Sequence, residues 1–264
     1  MRLTVLCLSL FMAAAGPAMA ASCGNDGGSF EKWKNAYANE AAAQGVGRKG
    51  LAALDKTSYS RATIKADRAQ HSFKLSLDQF MEKRGAATIV SQGRKLKAQN
   101  AKLFAQLEKR YGVPPGPLIA IWGMETAFGA YMGKQNTMSA VATLAYDCRR
   151  PDFFREQLIA ALKLVDEGVL SSSSIGAMHG EVGQTQFLPK NVFLYGADGD
   201  GGGINLNKKA DALASTANFL KGHGWQRGKG YQPGQPNFAA LQGWNAASVY
   251  QKALAIMGRQ IDGE

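Results

Sequence analysis

The spacing of the apolar residues constrains this chain more than any other feature. Over most of its length they recur at three and four positions, the period of a helix with one buried face. Ser29 stands before Phe30, Trp33 and Tyr37, and that helix ends near Gly45. A short helix is predicted around Leu51 and Leu54, then a mixed, irregular stretch at "SFKLSLDQFMEKRG". Ile89, Leu96, Leu103, Leu107 and Tyr111 predict one long helix closed by Gly112. Pro114 and Pro115 open the next, and Pro117 falls in its first turn, where a missing N–H is tolerated. Asn136 or Thr137 caps "MSAVATLAYDC", and Pro151 opens a helix with Phe154, Leu158, Ala161, Leu162 and Val165 on one face. A helix over "ADALASTANFL" ends at Gly222 or Gly224, and Asn245 caps a last one that aligns Tyr250, Leu254, Met257 and Ile261. No series of alternating strands or internal repeat is visible. Any strands are short and confined to two glycine-rich stretches, Ser171 to Asn207 and Gly222 to Asn237. Loops that long inside a compact domain usually carry function. The fold class is mainly α.

The N-terminus begins with Arg2, runs apolar from Leu3 to Ala15 and ends in Ala18-Met19-Ala20. That is the pattern of a secretory signal peptide over 1–20, cut before Ala21. The apolar run is shorter than the ~20 residues a membrane span needs. Of three cysteines, Cys7 leaves with the signal, so Cys23 and Cys148 remain as an even pair in an oxidising compartment. One disulfide is expected, two isolated thiols being the competing reading. Lipidation at Cys23 lacks the usual leucine three residues upstream. The formal net charge of +11 points to an anionic partner. The signal peptide favours an envelope polymer or anionic membrane surface over nucleic acid.

One carboxylate interrupts the apolar run "LIAIWGMETAFGAYMG" (Leu118 to Gly133). Leu118, Ile121, Trp122 and Glu125 follow the i, i+3, i+4, i+7 rule, so Glu125 points with the apolar side chains. Burial penalises its charged form and makes it a candidate proton donor to a leaving oxygen. Helix spacing alone leaves this equal to a structural glutamate paired with an arginine.

Five ordered segments then resemble the lytic murein transglycosylases of the MltB type: "DRAQHSF" (Asp67 to Phe73), "RYGVPPGPLIAIWGMETAFGAYMG" (Arg110 to Gly133), "GEVGQTQFLP" (Gly180 to Pro189), "DALASTANFLKGHGW" (Asp211 to Trp225) and "GWNAASVY" (Gly243 to Tyr250). The resemblance implies a lysozyme-like helical catalytic domain over 21–264, with an N-terminal helical part (about 21–110) packed on a cleft-bearing part (about 111–264). It also implies cleavage of the β-1,4 bond between MurNAc and GlcNAc in the periplasm, without a cofactor and without an obligate protein partner. By position, Glu125 matches the single catalytic acid and Gln186 a loop glutamine facing the sugar, with Phe187 beside it. Gln184 and Tyr146 are further candidate sugar contacts. Trp244 and Asn245 stand where the family commonly has Tyr-Asn; without the family, Trp244 reads more readily as core.

Glycosidases usually employ two carboxyl groups, whereas the resemblance implies one. It protonates the glycosidic oxygen, then takes the C6 hydroxyl proton as that oxygen closes onto C1, leaving a 1,6-anhydro-MurNAc end. Glu181 keeps a water-using muramidase open as a rival, if it serves as a base rather than as a loop carboxylate paired with Lys or Arg. A catalytically idle wall-binding protein is the other alternative. "DGDGGGINLNKKAD" (Asp198 to Asp211) looks like a degraded calcium loop: Asp198 and Asp200 fit, but Gly202 takes the next ligand place and the twelfth position, counted from Asp198, is Lys209, not an acid. A plain glycine turn is the simpler reading. His71, His179 and His223 share no metal-ligand spacing, and Ser171 to Ser174 is no nucleophile elbow.

Overall fold

The structure is a computed structural model, and it describes residues 21–69 and 75–263. The signal-peptide expectation, Cys7 and His71 lie outside the described residues. After a 3-10 turn at Gly27–Ser29 come thirteen α-helices among the described residues: α1 (Phe30–Ala43), α2 (Arg48–Asp55), α3 (Arg61–Arg68), α4 (Leu77–Lys83), α5 (Ala86–Gln99), α6 (Ala101–Tyr111), α7 (Pro115–Thr126), α8 (Thr137–Tyr146), α9 (Pro151–Asp166), α10 (Pro189–Tyr195), α11 (Lys209–Gly222), α12 (Phe238–Trp244) and α13 (Ser248–Asp262). Two short strands, β1 (Gln135–Asn136) and β2 (Ile175–Gly176), pair antiparallel in the register Gln135↔Gly176. β2 lies in the first glycine-rich stretch as expected, and β1 lies outside it.

Local chemistry explains where several helices begin. The Asn136 side chain accepts from Ser139 N–H at 2.8 Å and caps α8. The mixed stretch before α4 holds a capping box, in which Ser76 and Gln79 satisfy each other's backbone N–H groups. α2 has only Gly47 at its N-cap, and Asp166 of α9 supplies the missing acceptor, taking N–H bonds from Gly47 at 2.6 Å and Gly50 at 2.8 Å. Ser29 precedes α1 without a side-chain capping bond.

Two expectations are corrected here. The single helix through residues 89–111 is two, because the Asn100 side chain donates to Leu96 O at 2.8 Å and its backbone leaves the helical region. Asn245 does not cap α13 directly. Its Oδ1 accepts from Ala247 N–H at 2.9 Å, in a turn just ahead of the helix.

The core has two centres. One is built from α1, α2, α8 and α9 around Trp33, Tyr37, Leu54, Met138, Tyr146 and Leu158. The other is built from α4–α7 and α10–α13 around Phe80, Ile119, Ile121, Phe187, Leu213 and Leu254. Residues 21–54 close on α8 and α9, across the sequence. Cys23 and Cys148 form a disulfide at that junction, with Cα atoms 5.0 Å apart. Next to it, Arg68 Nη2 donates to both carboxylate oxygens of Asp147, at 2.7 and 2.8 Å. Asp67, 1% exposed, gathers Arg68 at 2.9 Å, Arg149 at 2.6 Å and Arg150.

α7 is the buried axis of the second centre. Residues 116–124 are all buried, as expected of a helix apolar on every side. It lies against α13 at close range. A Cβ on Gly116 would come within 2.2 Å of Gly258 O, so only glycine permits this approach. That contact sets the register of α13 along α7.

Candidate active site

Glu125 is the penultimate residue of α7. The helix C-terminus places partial negative charge beside its carboxyl group. Two donors converge on Oε1. The indole Nε1–H of Trp244, at the end of α12, donates at 3.1 Å, and the hydroxyl of Tyr250, on α13, donates a second, short bond. Burial pushes the Glu125 carboxyl above its ordinary pKa. The bonds from Tyr250 and Trp244 and the charge of Arg84 act against that, and the charge of Glu181 reinforces it. Among the described residues no Lys or Arg forms an ion pair with Glu125. This is an acid held against ionisation, with its carboxyl group oriented.

Tyr250 was legible only as a core position on the α13 stripe. It is 3% exposed, and a buried tyrosine hydroxyl needs a partner. That requirement is the signal that a second polar group had to face it.

The loop after α7 is strained. Ala127 and Phe128 both adopt positive φ, at 47° and 61°. Gln186 does so at 55°, within a turn closed by the Val182↔Phe187 bridge. Non-glycine residues held this way cluster at functional sites. Gln186 Nε2 donates to Gly183 O at 2.9 Å, and its partly exposed side chain lies near Met132. Gln184 bridges α7 and the loop: its Oε1 accepts from Trp122 Nε1–H at 2.9 Å, and its Nε2 donates to Asn207 O at 2.6 Å. Thr126 Oγ1 also donates to Gln184 O at 2.5 Å. Phe187 is 2% exposed and meets the Trp244 ring edge to face at 5.2 Å, with Phe219 behind both. It supports Trp244 from below.

A family model for the transglycosylase SLT domain matches residues 29–235, most of the chain, with Glu125 and Gln186 inside the match. The chain belongs to that family. Over 137 residues, 48% of this chain, it is 38% identical to the membrane-bound lytic murein transglycosylase B of Escherichia coli (strain K12), and it spans 38% of that relative's length. By structure it is similar to SltB3 from Pseudomonas aeruginosa in complex with NAG-anhNAM-pentapeptide, with a TM-score of 0.82 and 30% identity over 90% of this chain and 80% of that one. The soluble lytic transglycosylase SltB1 from the same organism gives a TM-score of 0.78 at 22% identity, over 89% of this chain and 98% of that one, a likeness of fold. The mainly α, lysozyme-like architecture is that of the SLT transglycosylases.

Within this SLT domain, Glu181 finds a different partner from the lysine or arginine expected. His179 Nδ1 stands 3.3 Å from its Oε1, and His179 backbone N–H donates to Oε2 at 3.0 Å. Burial pushes the Glu181 carboxyl up, but these bonds outweigh it and leave it below the ordinary range. Trp244 joins the site through its N–H, while Asn245 beside it spends its side chain on the turn into α13. Tyr146 is not brought to Glu125. It is 1% exposed in the other core centre, packed against Phe30, Trp33 and Tyr59.

The glycine loop satisfies itself. Asp198 accepts backbone N–H bonds from Asp200, Gly201 and Gly203, and Asp200 pairs with Lys208 at 3.1 Å. Asp211, fully buried, holds Gly199 and Asn205 N–H. These three carboxylates lie close enough together to share a cation. Asp211 falls outside the twelve-position count, so sequence spacing missed it.

Proposed function

We propose that this chain is a peptidoglycan lytic transglycosylase of the cell envelope, with Glu125 as its acid and then its base. The observation that carries the reading is the Glu125 carboxyl group: raised in pKa, without a cationic ion-pair partner among the described residues, and oriented by two donors. Such a group keeps its proton to higher pH than a solvated glutamate and can deliver it to the glycosidic oxygen between MurNAc and GlcNAc. As the C1–O bond breaks, the leaving GlcNAc oxygen takes the proton and positive charge grows at C1. The carboxylate then accepts the proton of the MurNAc C6 hydroxyl, whose oxygen bonds to C1. The acid is regenerated, and water is neither consumed nor released. Tyr250 and Trp244 stabilise the carboxylate between the two transfers, since hydrogen bonds to an ionised acceptor are the stronger kind. On this reading Gln186, on its strained turn, meets the N-acetyl sugars, and the Trp244 ring lies beside them. The complex of SltB3 with NAG-anhNAM-pentapeptide supports the substrate class and the ring-closed product.

One observation favours the muramidase alternative. Glu181 is held ionised within electrostatic reach of Glu125, and two carboxyl groups pushed apart in pKa are what a water-using glycosidase needs. Against it, both Glu181 oxygens are engaged by His179. Mass spectrometry of digested sacculi decides. The reading expects 1,6-anhydro ends; reducing ends would establish the hydrolase, and undigested sacculi a binding protein.

A further inference from the structure

The second glycine-rich stretch, Gly222 to Asn237, takes no part in holding Glu125, yet it is a built structure. Fully buried Asn237 pins it from three sides: Oδ1 accepts from Gln226 N–H at 2.7 Å, and Nδ2 donates to Gln226 O at 2.9 Å and to Lys229 O at 2.7 Å. Trp225 Nε1–H ties its start to Gly112 O at 3.0 Å, and Gln232 Nε2 ties its middle to Ala255 O of α13 at 2.8 Å. A long surface loop fixed this thoroughly has a purpose beyond joining two helices.

The loop walls a cavity of about 700 Å³ together with Gly112, Pro114 and Pro115 before α7, Lys97 of α5 and the end of α13. Its floor is organised by Asp262, whose side chain is 9% exposed. Asp262 accepts from Gly116 N–H at 2.8 Å and Tyr231 O–H at 2.8 Å, and Lys97 lies 3.5 Å away. Lys97 and Asp262 thus answer each other. Lys229 and Arg259 on the same wall are exposed and have no ion-pair partner among the described residues. Against these two cations the lining offers one exposed carboxylate, Glu108. Polar amides (Gln232, Gln235) and open backbone at Gly228 complete a surface suited to a hydrated, hydrogen-bonding, acidic ligand rather than an apolar one. Gly116 precedes Glu125 by nine helical residues, so the cavity stands roughly 14 Å along the helix axis from the acid.

We propose that this cavity is a second wall-binding site, taking a carboxylate-bearing segment of the peptidoglycan strand away from the bond that is cut. The proposal rests on the transglycosylase reading for the identity of the polymer. It gives the enzyme two holds on its substrate, one at each end of α7. Linking two modest holds raises retention on a polymer without changing the chemistry at either.

The test uses the full chain carrying Glu125→Gln, so that sacculi are bound but not digested. Binding to purified sacculi is compared with and without Lys229→Glu and Arg259→Glu together. A control pair, Lys49→Glu with Arg61→Glu, makes the same charge change at exposed positions outside the cavity. The site predicts about tenfold weaker binding for the cavity pair and a distinctly smaller loss for the control. Equal losses would mean attraction by net charge alone and would overturn the proposal. So would full sacculus binding combined with lost binding to phosphatidylglycerol vesicles, which would make the surface a membrane contact. In the Glu125-intact chain, the cavity pair keeps turnover on a short soluble glycan and raises KM only on intact sacculi. The products it releases report on the Glu125 chemistry separately, so either reading can fail without the other.

Discussion

Replacing Tyr250 by Phe tests the heart of the site with one atom. The Phe80 ring meets that of Tyr250 at 6.0 Å, and the substitution leaves this packing in place. It deletes one hydroxyl from Glu125 Oε1, which keeps the Trp244 bond at 3.1 Å. A hydrogen bond to a neutral acceptor contributes about 1 kcal/mol, and one to a charged group about 1.5–3 kcal/mol. The difference, roughly 1 kcal/mol, falls on the carboxylate that forms when the proton is delivered. Turnover on a soluble glycan should therefore drop about five- to tenfold, while the urea midpoint reports only the ~1 kcal/mol of one lost buried bond. The pH profile supplies the sign. Tyr250 is among the influences that lower the Glu125 pKa, so its removal raises that pKa further. The alkaline limb, where the acid loses its proton, must then move to higher pH. Unchanged turnover with an unmoved limb, or a limb moving down, would refute the role given to this bond.

Glu125→Gln should abolish cleavage and also stabilise the fold at neutral pH. A carboxyl whose folded pKa lies above its unfolded value contributes stability that is fully present below the unfolded pKa and lost as pH rises through the folded one. The variant escapes that loss, which urea titrations at acid and neutral pH would read as a gap that opens with pH. The Asp67 carboxyl has the opposite linkage: burial raises it, but the Arg149 and Arg150 bonds outweigh this and hold it below the ordinary range. Its contribution is present above the unfolded pKa near 3.9 and lost as pH falls through the lowered one. Asp67→Asn should cost about 2 kcal/mol near neutral pH, less than a fully buried pair, since the guanidinium side chains it gathers are 38–41% exposed and stay hydrated. Denaturant unfolding at pH 7 and pH 3 would show the cost shrinking with acid. Reducing the Cys23–Cys148 bond frees two residues 125 positions apart. By loop closure that costs up to about 4–5 kcal/mol, seen as a lower Tm in dithiothreitol that the Cys23→Ser, Cys148→Ser chain does not show.

Much of the fold could be read from local signals. Pro115 and Pro151 start α7 and α9, Asn136 caps α8, and the stripes of α9 and α13 match their buried faces. Asn100 shows where such reading stops. The stripe from Ile89 to Tyr111 is continuous across it, but one side-chain amide competes for a backbone carbonyl and splits the helix. Tyr146, a candidate sugar contact by position, packs with Phe30, Trp33 and Tyr59 in the first core centre. Helix spacing gives the buried face of an element without saying which of two core centres that face meets.

The sequence by itself determined that this chain is helical, that Cys23 and Cys148 can cross-link it, and that one acid sits among apolar neighbours at the end of a helix. These follow from short-range rules, because helix period, caps and prolines act within a turn or two. Tertiary structure alone decided what that acid touches. Trp244 and Tyr250 lie 119 and 125 residues away along the chain and reach one carboxyl oxygen. They do so because Gly116 lets α13 lie directly on α7 and fixes its register. The same packing built the polar cavity at the far end of α7, where the spacing of residues along the chain gave no sign of it.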